Sequence, residues 1–404
     1  MMKRIFRLGC LCYFLIGLAH VVIGTVLEEM MARYGRSYGD GGQLIFNQFA
    51  GFLVGVLLTP LLTSRIGRRG ALLFALTALT LGEAVYCFLP PWEWMLTAAP
   101  VAGLGFGMIE AIIGAIIIEF MGANKAIAMS RLEVFFGIGA LLIPLISSVF
   151  IMYDMWYASF ISVTLLSIGT GALWLFLPLG EAEPLLRRQP REAGERQSAA
   201  AAPSKLGANG WLFIGLMIVF FLTYVGVEMS FVNFLPSMLI ENAGVTSATA
   251  SISITFFWGT MAFGRFFAGV LAERMGYARY LFYSCGLSFL MMAGFVFASE
   301  LWSSFAVTLL FGIGMAGIFS IALVFANHVL PGMTERMTSL LVAAGGIGGA
   351  VVPRLTGWMM DAFGVSGAQW LLMSFMGLLF LIVMASSRLG RTAAPSASAA
   401  VHQV

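Results

Sequence analysis

Three ionisable side chains sit in the middle of long apolar runs, where such groups are rare: His20, Glu110 and Glu228. An ionised group at the centre of a bilayer costs about 2.5–3.5 kcal/mol on insertion scales, so these groups must face a polar cavity or one another. Removal from water disfavours a charged carboxylate, which lets a buried glutamate take up and release a proton close to neutral pH. The chemistry within reach is therefore proton binding. Glu110 is read as the coupling acid, Glu228 as a second proton site or a ligand contact, and His20 as a hydrogen-bonding partner. The structural alternative for each glutamate is a neutral carboxyl bonded to a facing helix. For His20 it is a satisfied packing role. Glu83 is also embedded, and is read as paired with a basic group or as a second proton path.

The elements that hold these groups follow from composition. The chain has 404 residues, 60% of them hydrophobic and only 10% charged. Soluble proteins carry about 25% charged residues, so most side chains here never meet water. Apolar runs bounded by charge or by Gly and Pro predict twelve spans: 6–27, 44–64, 71–89, 95–119, 133–152, 157–178, 209–237, 249–272, 280–299, 304–329, 338–359 and 368–387. A bilayer crossing needs about 20 apolar residues, and its backbone must be satisfied internally, so each span is read as a helix. The expected fold is an all-α membrane protein of two six-helix bundles, 1–178 and 209–387, joined by a linker at 179–208 and followed by a disordered tail from 388. With both termini inside the cell, 18 of the 22 basic residues fall on the inner side, which is the bias expected of inner loops. The net charge of +3 is then a topology signal and no pointer to nucleic acid. Lys3 and Arg4 before an apolar run imitate a signal peptide, but the run continues to Val26 without a small-residue cleavage site, so an uncleaved first helix is expected. Cys10, Cys12, Cys87 and Cys285 have no metal spacing and are read as reduced packing groups.

Ten residue identities recur at a constant offset of 209: Gly17 as Gly226, Gly55 as Gly264, Arg65 as Arg274, Gly67 as Gly276, Gly103 as Gly312, Gly105 as Gly314, Gly137-Ile138-Gly139 as Gly346-Ile347-Gly348, and Pro144 as Pro353. A single gapless shift implies a fused duplication, the framework of carriers that expose one midplane site to each side in turn. The alternating Gly103, Gly105 and Gly107 are read as close-approach positions for packing, and Pro144 and Pro353 as helix bends.

The loops after spans 2 and 8 sharpen this reading. Residues 60–69 read PLLTSRIGRR and residues 269–279 read GVLAERMGYAR. Both resemble the cytoplasmic signature loop of the major facilitator superfamily, with Ser64 and Glu273 at its usual Asp positions and Pro60 at its first Gly. Such a loop needs a tight Gly turn and cations near helix C-termini. The resemblance implies a cytoplasmic gate at Arg65, Gly67, Arg68, Arg69, Glu273, Arg274 and Gly276, braced by Arg265 against Glu273 or Glu133. The runs 103–110, 135–144, 224–228 and 345–353 resemble the fucose-permease branch, although Gly24 stands where that branch has an Asp and the Asn after the span 4 Glu is absent. The superfamily lines its central cavity with spans 1, 4, 7 and 10, which carry His20, Glu110, Glu228 and, at matching depth, Phe319 and Ser320. Asn47, Gln48, Asn233 and Trp258 supply donors, acceptors and an indole face suited to a hydroxylated ligand, or serve as helix–helix contacts. Arg354 is expected to meet Asp361.

Soluble enzyme chemistry is not indicated: the three histidines are scattered, and there is no P-loop, so ATP is not the energy source. The expected protein is a monomeric, cofactor-free secondary transporter of the plasma membrane that imports a small polar solute such as a sugar with protons. The competing readings are proton-coupled export of amphipathic compounds and a non-transporting receptor on the same fold.

Overall fold

In lipid a backbone has no water to bond to, so the long apolar segments close their own hydrogen bonds as helices. The computed structural model describes residues 2–120, 125–177, 186, 207–298, 300–330 and 334–393. The helices in chain order are α1 Met2–Thr25, α2 Leu27–Tyr34, α3 Tyr38–Cys87, α4 Trp92–Phe120, α5 Lys125–Met152, α6 Ala158–Phe176, α7 Ala208–Ala243, α8 Ser247–Met275, α9 Tyr277–Phe297, α10 Leu301–Met315, α11 Ile318–Val329 and α12 Thr334–Ala393. Ten stretches among the described residues are long and apolar enough to cross a membrane. Two of these cross twice, because Gly67 (φ 77°) divides α3 and Gly364 (φ 70°) divides α12. Only glycine adopts such angles readily, and each marks a reversal between two limbs. Twelve crossings result, as the hydropathy pattern predicts.

Three local features depart from the expected pattern. The connection after the first crossing is partly helical, as α2, ended by Gly35 in the left-handed region (φ 59°). The tenth crossing is not one helix but two, α10 and α11, broken at Ala316-Gly317. The last helix runs on to Ala393, into the stretch read as disordered from residue 388. Most of the linker and residues 394–404 lie outside the described residues.

The duplication is visible contact by contact. A Cβ on Gly55 would meet the backbone of Leu104, and one on Gly264 the backbone of Ile313. Gly103 abuts the carbonyl of Gln48 and Gly312 that of Phe257; Gly105 abuts the amide of Leu79 and Gly314 that of Ser288. Every partner is displaced by the same 209 residues as its glycine. These three pairs of recurring glycines are thus matched sites of close helix approach.

Residues that contact their own counterpart must lie on the axis relating the halves. His20 Nε2 is 3.1 Å from Met229 Sδ, and Gly24 abuts Asn233; both pairs are separated by 209. α1 and α7 therefore meet along that axis. The two halves also touch along two seams at the end of the bundle remote from the start of α1. In one, Gly42 abuts Pro353 and Gly357 abuts Tyr38. In the other, Thr255 Oγ1 donates to Leu141 O (2.9 Å), Ser251 to Pro144 O (3.4 Å) and Ser148 to Ala248 O (2.8 Å).

Candidate functional site

Helix periodicity and the axis bring the embedded charges to the middle of the bundle. Glu228 of α7 is buried, and its Oε1 lies 3.7 Å from Arg265 Nη2 of α8. The Tyr224 hydroxyl, one turn before Glu228, lies 3.3 Å from Glu228 Oε1 and 3.2 Å from the carbonyl of Met315. That carbonyl belongs to the last turn of α10, just before the break. The Ala316 carbonyl beside it accepts from Tyr280 of α9 at 2.6 Å. Gly317 takes a left-handed conformation (φ 76°), and a Cβ there would strike Ala268, so this turn requires glycine. The two tyrosines stabilise backbone that a continuous helix would have satisfied itself. Discontinuous helices of this kind commonly form solute sites in carriers.

Across the axis, Glu110 of α4 is half-buried, and the Tyr13 hydroxyl of α1 approaches its backbone carbonyl at 3.5 Å. Glu133 of α5 is exposed and acts electrostatically on Glu110 and, from the other half, with Arg265. Among the described residues the ion pairs are Arg36–Glu93, Arg68–Glu119 and Arg265–Glu228; Glu110 belongs to none of them. Arg265 therefore serves Glu228 and Glu133, and Glu110 is left without a cation among the described residues.

An aromatic wall adjoins this cluster. His20 is ringed by Phe49, Phe106 and Phe136 at 5.1, 5.5 and 5.5 Å between centroids. Phe136 reaches across the halves to Trp258 (6.1 Å), whose indole nitrogen has no hydrogen-bond partner among the described residues. Phe319 packs on Phe221 and Tyr224. Ser320 is exposed, with its hydroxyl on Gly317 O.

Several residues take places that spacing did not indicate. Arg265 faces Glu228, not Glu273, which is exposed. His20 contacts a thioether and three phenyl rings, not a carboxylate. Asn47 donates to Leu96 O and accepts from Gln43, and Gln48 donates to Ala19 O, so these two amides tie helices together; Asn233 donates to Met229 O within its own helix. Their polar groups are consumed because buried backbone carbonyls beside them offer better partners than an intermittently occupied cavity. Arg354 and Asp361 do not pair with each other; both bind the backbone at Gly39. Glu83 is fully buried, and neither carboxyl oxygen has a hydrogen-bond partner among the described residues. At the opposite end of the bundle, Arg68 pairs with Glu119 and Arg69 binds the carbonyls of Trp174 and Leu175 at the end of α6. Ser64 donates to Leu61 O in its own helix, while Arg65 and Arg274 are exposed. Gly67 and Gly276 both have positive φ, which is the turn requirement expected of them. Spacing alone had not marked Tyr224 as a site residue or indicated the α10–α11 break. The Gly-x-Gly run before residue 317 was the available signal, but hydropathy reads straight through it.

A family profile described as Major Facilitator Superfamily matches residues 9–334 and 216–402. The glucose/mannose transporter GlcP of Bacillus subtilis (strain 168) is 28% identical over 373 residues, covering 89% of each chain. Among solved structures, a D-xylose-proton symporter superposes with a TM-score of 0.78 at 15% identity, covering 96% of this chain and 98% of that one. FucP in its outward conformation superposes with a TM-score of 0.63 at 16% identity, covering 94% and 98%.

Proposed function

The chain belongs to the Major Facilitator Superfamily, and from that premise we propose that it imports a small sugar across the plasma membrane together with a proton. In this reading it is a carrier and not an enzyme, and both termini face the cytoplasm. The end at which the halves touch is then the outer end, and the structure is the arrangement closed to the outside. Sugar as the solute class is supported by end-to-end similarity to a glucose/mannose transporter and by the aromatic wall, since an indole or phenyl face stacks on the apolar side of a sugar ring.

The observation that carries the mechanism is that Arg265 pairs with buried Glu228 while Glu110, on the facing half, has no ion-pair partner among the described residues. Arg265 compensates Glu228 as an ion pair. Glu110 lacks such a partner, so its charge is cancelled by a proton, and it is the acid assigned to coupling. Solute held between the aromatic wall and the Tyr224–Glu228 pair would bridge the two halves. Closing the other end around it requires the uncompensated charge on Glu110 to be neutralised first. The membrane potential contributes about 2.3 kcal/mol per charge per 100 mV, sufficient to concentrate a neutral solute.

Uptake of labelled glucose, mannose and xylose into energised vesicles tests this directly. Accumulation that a protonophore abolishes is expected. Glu110→Gln should retain exchange of labelled for unlabelled sugar and lose accumulation at least ten-fold. Normal accumulation by that variant would remove Glu110 from the coupling role, and absence of any sugar uptake by the parent protein would remove the solute assignment.

A further inference from the structure

The N-terminus of α3 is capped by a carboxylate from the other half of the molecule. A helix begins with backbone N–H groups that have no intrahelical partner. Here Ser37 and Asp40 form a reciprocal box: the Ser37 hydroxyl accepts from Asp40 N, and the Asp40 carboxylate accepts from Ser37 N. That leaves Tyr38 N and Gly39 N. Asp361 takes both, Oδ1 from Tyr38 N at 2.9 Å and Oδ2 from Gly39 N at 2.7 Å. Arg354, two turns earlier on α12, donates to Gly39 O and so holds the same residue through its carbonyl. Side chains would prevent this approach. A Cβ on Gly39 would strike Asp361, one on Gly42 the Pro353 carbonyl, and one on Gly357 the Tyr38 carbonyl.

The equivalent seam lacks the device. At the offset of 209, Gly39, Arg354 and Asp361 correspond to Ala248, Leu145 and Met152. That seam is held by neutral hydroxyls such as Ser148 on Ala248 O. The charged, bidentate contact is therefore an addition to one seam and not a consequence of the duplication.

We propose that Asp361 is a positioning residue for the transport cycle: its bidentate cap on the N-terminus of α3 is the latch that sets how much of the protein is closed to the outside. Negative charge at a helix N-terminus and charge-assisted hydrogen bonds to two backbone amides both favour the closed arrangement. Opening the outer end breaks all of them at once, because cap and helix belong to different halves. The proposal rests on the alternating-access reading above but needs no knowledge of the solute.

The test places a single reporter on the other seam. Ser148→Cys, buried where α5 meets α8, is labelled from outside with a membrane-impermeant maleimide, using the parent chain to correct for the native cysteines. Adding Asp361→Ala should raise the labelling rate at least about five-fold. Asp361→Asn, which keeps an acceptor and loses the charge, should fall between. In uptake assays Asp361→Ala should lower the apparent KM for external sugar and lower the maximal rate, because a larger outward-open fraction binds better but returns more slowly. Mere structural damage would not lower KM. Unchanged labelling in both variants overturns the latch, as does a maximal rate that falls with KM unmoved or raised. Should Asp361→Ala fail to reach the membrane, Asp361→Asn decides by the same two readouts. A failed sugar assay leaves the labelling result standing and counts only against the solute assignment.

Discussion

Glu228 and Arg265 show how a duplicated scaffold acquires unduplicated chemistry. At the offset of 209, Glu110 corresponds to Phe319, Glu228 to Ala19, Arg265 to Val56 and Glu133 to Val342. None of the four charges is mirrored, so the axis relates backbones and not reactive groups. Removing Arg265 leaves the buried Glu228 carboxyl uncompensated, although the exposed guanidinium makes the loss smaller than for a fully buried pair. Arg265→Gln should therefore abolish uptake, while the double variant Arg265→Gln/Glu228→Gln should recover folding, read as a melting temperature close to that of the parent. A double variant no more stable than Arg265→Gln alone would show that the 3.7 Å pair is not coupled. The depth of both glutamates was legible from hydropathy. The partner of Arg265 was not: Glu228, Glu273 and Glu133 lie 37, 8 and 132 residues away, and linear distance does not rank them.

At the scale of elements, α2 is the piece that hydropathy missed, since eight residues carrying Glu28 and Glu29 read as a polar loop. In the proposed orientation it packs at the outer closure, where burial raises the Glu28 carboxyl, with Ser237, Glu241 and Tyr38 facing it. Burial also raises Glu29, with Ser247, Glu28 and Asp154 around it. Ser237, Glu241 and Ser247 belong to the other half, so opening the outer end returns both acids to water. An acid whose value is raised in the closed arrangement holds its proton there more firmly than in the open one. Closure is then strongest at and below the ordinary glutamate value of 4.5 and weakens as pH climbs through the raised values. External labelling of Ser148→Cys should accelerate as pH rises above 4.5, beyond the intrinsic reactivity of the thiol. Glu28→Gln/Glu29→Gln should flatten that excess, and an identical pH profile in the double variant would exclude α2 as its source. The broken tenth crossing was equally hidden. Its apolar run is continuous from residue 304 to 329, and the break depends on Tyr224 and Tyr280, which reach it from two other helices.

For the whole molecule, the two seams and the axial contacts describe one end state of a rocking motion. Joining Leu141→Cys to Thr255→Cys by oxidation, across a seam where the native residues are bonded at 2.9 Å, should hold the outer end shut. Uptake should drop at least ten-fold and return on reduction; uptake that survives a complete crosslink would rule out opening along this seam. The sequence by itself determined that the chain fills a bilayer with twelve helices in two matched halves. Those properties are local or periodic: an apolar run must satisfy its own backbone wherever it lies, and identities at a constant offset survive any arrangement of the halves. Only the tertiary structure decided which end is closed, that Arg265 answers to Glu228, and that Asp361 caps a helix more than 300 residues before it. Each of these is a contact between segments whose separation in the chain bears no relation to their separation in space.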